Sequence, residues 1–348
     1  MKRYTVGLVG LGNIAAFKWG RPGDPLAFNH AGGLAVSERV ELVGVADVSS
    51  EKLDRFRREW GPYLPAAACH ESLEALLAAG VPDIAAIATP GVTHFALAMR
   101  ALEAGCRAVF LEKPPTPSLA ELDELLAAAA RRGASVTVSY TRHWKPHVAG
   151  LERLVKGGLI GRVHKVVGHV GGSTLYFHGH VIDMICQFAG YEAEAVYAVG
   201  RAGPPAPPPY EADPVLGAMV VQFASGVTGV GVGAPGRFPP GFYVEVFGTG
   251  GSGTVGADVP ASARDARGRA IDLAALGMPA ERNAFAEAYD AIAAHLDGGP
   301  PPACSGPDAA AVSEIGFAAV ASIQVGRPVE LPCADRARRV WPEKAAEL

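Results

Sequence analysis

Tyr4-Thr5-Val6-Gly7-Leu8-Val9 runs directly into Gly10-Leu11-Gly12-Asn13-Ile14-Ala15, and this stretch decides the fold. The first six residues read as a short apolar strand of the kind buried on both faces. The next six form a GxGxxA pattern. Gly10 permits a tight turn, and Gly12 lacks a Cβ, so a pyrophosphate can approach the backbone. Asn13 and Ile14 complete the turn, and Ala15 lets a helix pack close to the strand. The N-terminus of that helix would offer free N–H groups and a positive dipole end to phosphate. A plain structural turn is the bland alternative, and the surroundings decide between the two.

Those surroundings alternate. Strands are expected at Tyr4–Val9, Val40–Ala46, Ala66–Cys69, Asp83–Ala88, Arg107–Leu111 and Ser135–Tyr140. Helices are expected at Ser50–Trp60, Ser72–Ala79, Thr93–Ala104 and Ser118–Arg132. Alternation of this kind predicts an α/β fold with a doubly wound parallel sheet, a Rossmann domain over residues 1–140. The second strand ends in Asp47, where a carboxylate accepts hydrogen bonds from ribose hydroxyls and repels a 2′-phosphate. Val48, Ser49 and Ser50 supply no cation, which favours NAD over NADP. The glycines lie further from this acid than the usual ~20 residues. The excess falls in Phe17–Gly32, an insertion readable as a lid or as decoration.

Beyond Tyr140 the pattern changes. Helices are expected at Pro146–Lys156, Val181–Phe188, Ala284–Leu296 and Ala309–Val325. Strands are expected at Val163–Val170, Ala195–Val199, Ala218–Phe223, Val227–Val232 and Phe242–Phe247, with Gly- and Pro-rich connections at Gly203–Pro209 and Gly233–Gly241. The Pro run Pro204–Pro209 reads as a rigid surface loop ahead of a docking ligand. Residues 141–348 therefore form a second α/β domain with an open, mostly antiparallel sheet.

Composition narrows the function. The 348 residues are 49% hydrophobic and 19% charged, enough for a large core, and the net charge is −4. A bulk attraction to nucleic acid is not expected. Forty-three glycines and 28 prolines exceed ordinary usage. The five cysteines, Cys69, Cys106, Cys186, Cys304 and Cys333, are scattered without CxxC spacing, so neither a disulfide framework nor a structural zinc site is expected and a reducing cytoplasm fits. Met1-Lys2-Arg3 before an apolar run resembles a signal peptide, but Gly7, Gly10 and Gly12 interrupt it. No uninterrupted apolar stretch of about 20 residues is read, so no membrane span is expected.

Further motifs follow in order: Ala88-Thr89-Pro90, His94, Glu103-Ala104-Gly105 and Glu112-Lys113-Pro114. Then come Tyr140-Thr141-Arg142, Pro146, Gly158-Leu159-Ile160-Gly161, Gly171-Gly172, His180-Val181-Ile182-Asp183 and Gly326-Arg327-Pro328-Val329. Taken together the chain resembles the Gfo/Idh/MocA oxidoreductases, the family of glucose–fructose oxidoreductase and inositol dehydrogenase, along almost its whole length. The resemblance implies hydride transfer between NAD(H) and a secondary alcohol or ketone of a sugar, cyclitol or aminocyclitol. It places Thr89, Pro90, His94, Glu112 and Lys113 at the cofactor with Gly10, Gly12, Asn13, Ile14 and Asp47. It also implies a homodimer or homotetramer formed through the C-terminal sheet.

Lys113 follows a buried strand at its carboxyl end, where open sheets bind ligands. Its ammonium can hold the reacting oxygen and stabilise alkoxide character. His180 suits proton exchange with a hydroxyl near neutral pH. Val181, Met184, Ile185 and Phe188 form an apolar stripe, which puts His180, Asp183 and Gln187 on another face of a helix starting near His178. In the family, the histidine matching His180 is catalytic. An Asp commonly stands four residues before it; here that position is Tyr176, whose pKa of about 10 makes it no carboxylate base. Tyr176 and Asp183 are expected to orient the base or substrate, and Tyr140, Arg142 and His178 to line the substrate cleft. His143 and His147 stand at i, i+4 without an evident third ligand, so no metal is expected. His164 and His169 read as sheet-surface residues. Two alternatives stay open: transient oxidation by held NAD with no net redox change, and an NAD-binding sensor without catalysis.

Overall fold

The computed structural model describes residues 2–233 and 241–341. The chain divides into two compact units, the first of residues up to 116 with 121–144 and 282–306, the second of 117–120, 145–281 and from 307 onward. The expected connector Gly233–Gly241 lies largely outside the described residues, at 234–240.

The first unit alternates strands and helices in chain order: β1 (Tyr4–Val9), α1 (His30–Val36), β2 (Val40–Ala46), α2 (Ser50–Glu59), β3 (Ala68–His70), α3 (Leu73–Ala79), β4 (Ile84–Ile87), α4 (His94–Ala104), β5 (Ala108–Leu111), α5 (Leu119–Arg131) and β6 (Ser135–Val138). The strands pair in parallel in the order β3-β2-β1-β4-β5-β6. This is the Rossmann order, with its switch point between β1 and β4. Every residue of β4 and β5 is buried, as a sheet covered by helices on both faces requires. Local chemistry sets the helix starts: the Ser49 hydroxyl accepts from the Lys52 amide and the Ser72 hydroxyl from the Ala75 amide. Gly105, at φ 105°, ends α4 in the left-handed region.

Two sequence expectations fail here. No long helix follows the glycine turn. Asn13–Phe17 makes one five-residue π-type turn, and α1 begins only at His30. So short a turn carries little of the expected dipole. The intervening residues close on themselves: the Phe28 amide donates to the Trp19 carbonyl at 2.6 Å and Asn29 Nδ2 to the Lys18 carbonyl at 2.9 Å. The third strand is also shifted, running Ala68–His70 instead of Ala66–Cys69, because only Ala68, Cys69 and His70 pair with β2.

The second unit continues with α6 (Pro146–Lys156), β7 (Val163–His169), α7 (Gly179–Ala189), β8 (Ala193–Arg201), β9 (Val215–Phe223), β10 (Thr228–Val232), β11 (Tyr243–Gly248), β12 (Gly251–Gly256) and β13 (Ser262–Asp265). The chain then returns to the first unit as α8 (Ala284–Leu296), and finishes in the second as α9 (Gly306–Val325) and β14 (Val329–Glu330). The sheet runs β13-β12-β11-β7-β10-β9-β8-β14. It is antiparallel except between β7 and β10. The Pro204–Pro209 run connects β8 and β9.

One face of this sheet is covered by α7. Gly168 makes that contact possible, because a Cβ there would lie 2.3 Å from a Val181 methyl. The expectation of an amphipathic α7 fails, since all its residues from Gly179 to Ala189 are buried. One helix, α9, is long and apolar enough to cross a membrane by length and composition alone, although Asp308, Ser313 and Glu314 interrupt its apolar run. Its Ala309, Val312, Ile315, Ala318, Ala319 and Val320 are core residues.

Candidate active site

At the end of β1, Gly10 has φ 88°, and a Cβ on it would lie 2.7 Å from Thr89 Cγ2. The turn is thus pressed against the end of β4, where the Ala88 amide donates to the Val9 carbonyl at 2.8 Å. Gly12 differs. Its φ is −95°, and a Cβ there would meet only the Ala88 carbonyl oxygen, at 4.0 Å. Neither backbone conformation nor protein packing demands a glycine at this point. The space over Gly12 is open, which is the cradle a pyrophosphate needs.

Asp47, at the end of β2, is buried. One carboxylate oxygen accepts from the Leu11 amide at 2.7 Å, the other from the Ser49 amide at 2.9 Å. Lys52 Nζ lies 3.3 Å from the first. A carboxylate has roughly four lone-pair sites, so room remains for a ribose hydroxyl. The cation that Val48, Ser49 and Ser50 do not supply comes from the first turn of α2.

After β4, the Thr93 hydroxyl donates to the Pro90 carbonyl and lies 2.7 Å from the Thr89 hydroxyl. The buried His94 ring spans two loops: Nδ1 is 2.9 Å from the Pro114 carbonyl and Nε2 is 2.8 Å from the Thr89 carbonyl. Burial pushes its pKa down, against the pull of both carbonyls. His94 therefore ties the β4 loop to Glu112-Lys113-Pro114 beyond β5. Glu112 is buried and Lys113 half-buried. Tyr140 and Arg142, expected to open the second domain, lie in the first unit. Tyr140 is buried, and the Arg142 guanidinium sits 5.7 Å from the Phe28 ring.

In the second unit, His178 is the N-cap residue of α7 and His180 its second residue. Both are buried. His178 Nδ1 lies 3.2 Å from the Ser173 carbonyl, which can only accept, so this nitrogen carries the proton. Nε2 is then a bare acceptor, with no hydrogen-bond partner among the described residues. Burial pushes the His178 pKa down to about 4, so the ring is neutral at pH 7. The Phe242 ring meets His180 edge-on at 5.4 Å. Asp183 accepts from the Tyr191 hydroxyl at 3.2 Å, and Gln187 Nε2 donates to Glu152 at 2.8 Å.

Sequence reading missed Asp213. It is buried, and its carboxylate accepts from the Leu175 amide at 3.0 Å and the Tyr176 amide at 3.1 Å. It fixes the turn that presents Tyr176, His178 and His180. No local signal marks it, because it stands 37 residues beyond Tyr176. Gly172 is structural: its φ is 118° and a Cβ would lie 2.5 Å from the Phe177 ring. His143 precedes α6, so it and His147 are not an i, i+4 helical pair. His147 Nε2 donates to the Gly256 carbonyl at 2.8 Å. His169 is a sheet-surface residue, stacked on Tyr243 and 3.0 Å from Glu245.

Residues 4–140 match the model of the Gfo/Idh/MocA family, described as an oxidoreductase family with an NAD-binding Rossmann fold. Over those residues the chain carries that family's NAD-binding fold. It is 24% identical to myo-inositol 2-dehydrogenase of Thermotoga maritima, over 94% of this chain and 98% of that one. It is 28% identical to the NAD-dependent scyllo-inositol 2-dehydrogenase of Bacillus subtilis, over 88% and 93% respectively. Its fold resembles the crystal structure of aldose-aldose oxidoreductase from Caulobacter crescentus, with TM-score 0.75 at 20% identity, covering 95% of this chain and all of that one. The protein is an NAD-dependent oxidoreductase acting on CH–OH groups, and the open cradle at Gly12 and the carboxylate of Asp47 fit that cofactor.

Proposed function

We propose that this oxidoreductase interconverts a secondary hydroxyl and the matching ketone on a cyclitol, aminocyclitol or sugar. The observation that carries the substrate class is similarity, along nearly the full chain, to two inositol dehydrogenases. In this reading residues 1–140 serve the dinucleotide and 141–348 the substrate. Gly10, Gly12, Asn13 and Ile14 hold the pyrophosphate, Asp47 the ribose, and Thr89, Pro90, His94, Glu112 and Lys113 flank the nicotinamide. NAD, when bound, supplies the hydride acceptor.

The chain's own groups handle the oxygen and its proton. The Lys113 ammonium donates a hydrogen bond to the reacting oxygen and stabilises negative charge that develops there. His180 takes the hydroxyl proton in oxidation and returns it in reduction. Asp183 and Tyr176 orient the histidine or the substrate. His178 offers Nε2 as an acceptor for a neighbouring hydroxyl, and Tyr140 and Arg142 contact the substrate. Substitution of Lys113 by Ala, or of His180 by Ala, is expected to lower kcat by on the order of a hundredfold or more, with melting temperature retained. Normal turnover in both variants refutes the assignment. The substrate class is tested by following NADH absorbance over a panel of cyclitols, aminocyclitols and sugars.

Tyr176 in place of a carboxylate favours a second reading, transient oxidation with NAD retained and no net redox change. NAD that survives gel filtration, with substrate consumed and no NADH accumulating, is its signature. The free state of all five cysteines supports residence in a reducing cytoplasm. The open face of the second unit's sheet supports a homodimer or homotetramer. On that face Tyr197, Val220, Val230 and Val167 align across β8, β9, β10 and β7, and Tyr197, Val199 and Val220 are exposed. Apolar rows of this kind mark association surfaces.

A further inference from the structure

Beside Lys113, Glu112 ends a buried chain of polar groups whose other members, His30 and Tyr289, have no part in the roles assigned above. His30, at the start of α1, is fully buried. Its Nδ1 is 2.7 Å from the Tyr289 hydroxyl of α8, and its Nε2 is 3.3 Å from Oε1 of Glu112. Chemistry fixes the direction of one of these bonds. Burial pushes the Tyr289 hydroxyl well above its ordinary pKa, so it keeps its proton. Burial alone would raise the Glu112 carboxyl, but the hydrogen bond and electrostatic pull of His30, the bond from Ser139 and the charge of Lys113 outweigh it and hold the group below its ordinary value. Glu112 is therefore an anion that only accepts, so Nε2–H of His30 donates to it.

The chain ends on Lys113 itself. Oε2 of Glu112 accepts from the Lys113 backbone amide at 3.3 Å. On the other side His94 Nδ1 meets the Pro114 carbonyl at 2.9 Å. Phe110 and Phe285 pack their rings against the buried His30 at 5.2 and 4.7 Å. The titratable and charged groups around the pair are Tyr289 from α8, His94 from α4 and Lys113; the Ser139 hydroxyl, beyond β6, also faces the carboxylate.

We propose that His30, oriented by Tyr289, is a positioning residue that holds the Glu112 carboxylate and through it fixes the backbone from which Lys113 reaches the reacting oxygen. The inference rests on the role proposed for Lys113. Without His30, the buried Glu112 would keep only the Ser139 hydroxyl and the Lys113 amide as partners, would take up a proton more readily, and would release the Lys113 amide.

His30→Phe keeps a ring in place and removes both hydrogen bonds. Its kcat/KM profile is expected to show an acid limb moved up by about one pH unit or more. At neutral pH, kcat is expected to fall at least about tenfold and to recover on the alkaline side. His30→Gln keeps a donor for Glu112 and should leave the limb near its original place. Adding Glu112→Gln to His30→Phe should abolish the moved limb. Tyr289→Phe, which removes one oxygen, should move the limb the same way by less. NADH titration by fluorescence reports cofactor binding in the His30 and Tyr289 single variants, and it should hold. An unmoved limb in folded His30→Phe and Tyr289→Phe, or equal limbs for the Phe and Gln variants of His30, overturns the proposal. Lys113→Ala is measured alongside: normal turnover there refutes the role of Lys113, whereas an inactive Lys113→Ala with an unmoved His30→Phe limb refutes the relay alone.

Discussion

Two glycines two residues apart in one motif have different reasons to exist. Gly10 sits at φ 88° against Thr89, so Gly10→Ala should cost about 1–2 kcal/mol from backbone conformation alone, read as a lower Tm in the absence of cofactor. A Cβ on Gly12 would meet only the Ala88 carbonyl oxygen, at 4.0 Å, so Gly12→Ala should leave that Tm unchanged while weakening NADH binding by fluorescence titration. Equal melting losses in both would refute the distinction. His178 gives a pH prediction. Its pKa falls from 6.5 to about 4 on folding, so the unfolded chain binds the extra proton between those values. Stability should therefore decline as pH drops from about 6.5 to about 4, and His178→Phe should flatten that part of the denaturation profile. At this scale the sequence exposed the residue types and the motif but not their partners. Lys113 and His180 stand out by their place beside a strand end and a helix start. Asp213 does not, because an acid in a loop has no signature until the amides it binds are folded against it.

At the scale of elements, apolar runs and capping residues were sufficient where neighbours agree with local preference. β1, β2, α6 and α8 occur where the pattern puts them, within the limits of their caps. The first helix departs because twelve or so residues follow its opening turn before a new N-cap, Asn29, accepts from the Gly32 amide. Trp19 in this insertion holds φ 61° and is exposed, a conformation that a bulky side chain adopts only when its surroundings impose it. The insertion is held from α8: Asn283 Oδ1 caps that helix through the Phe285 and Ala286 amides, and its Nδ2 donates to the Pro25 and Ala27 carbonyls. Asn283→Ala removes both functions and should cost about 1–2 kcal/mol, with faster amide exchange at Ala27–Asn29. An unchanged Tm would show that the cap carries no weight. Strands β12, β13 and β14 escaped notice because short or Gly-rich strands have no alternation to read.

At the scale of the whole molecule, the chain crosses between its two compact units several times, and α8 belongs to the first unit although it follows strands β7 to β13 of the second in the chain. The open sheet face makes a prediction of this size. Val220→Glu places a charge opposite Tyr197 and Val230, and should convert the oligomer to monomer in size-exclusion chromatography with light scattering, with the secondary structure by circular dichroism retained. A native chain that is already monomeric refutes the association. By itself the sequence determined the alternating first sheet and its NAD-binding fold, because both are written in neighbouring residues with a fixed period or spacing. Tertiary structure alone decided that His30 meets Glu112 and Tyr289, 82 and 259 positions away in the chain, and that Asp213 anchors the His178–His180 turn. Such partners are chosen by which buried polar groups must satisfy one another, and that demand arises only once the core has closed around them.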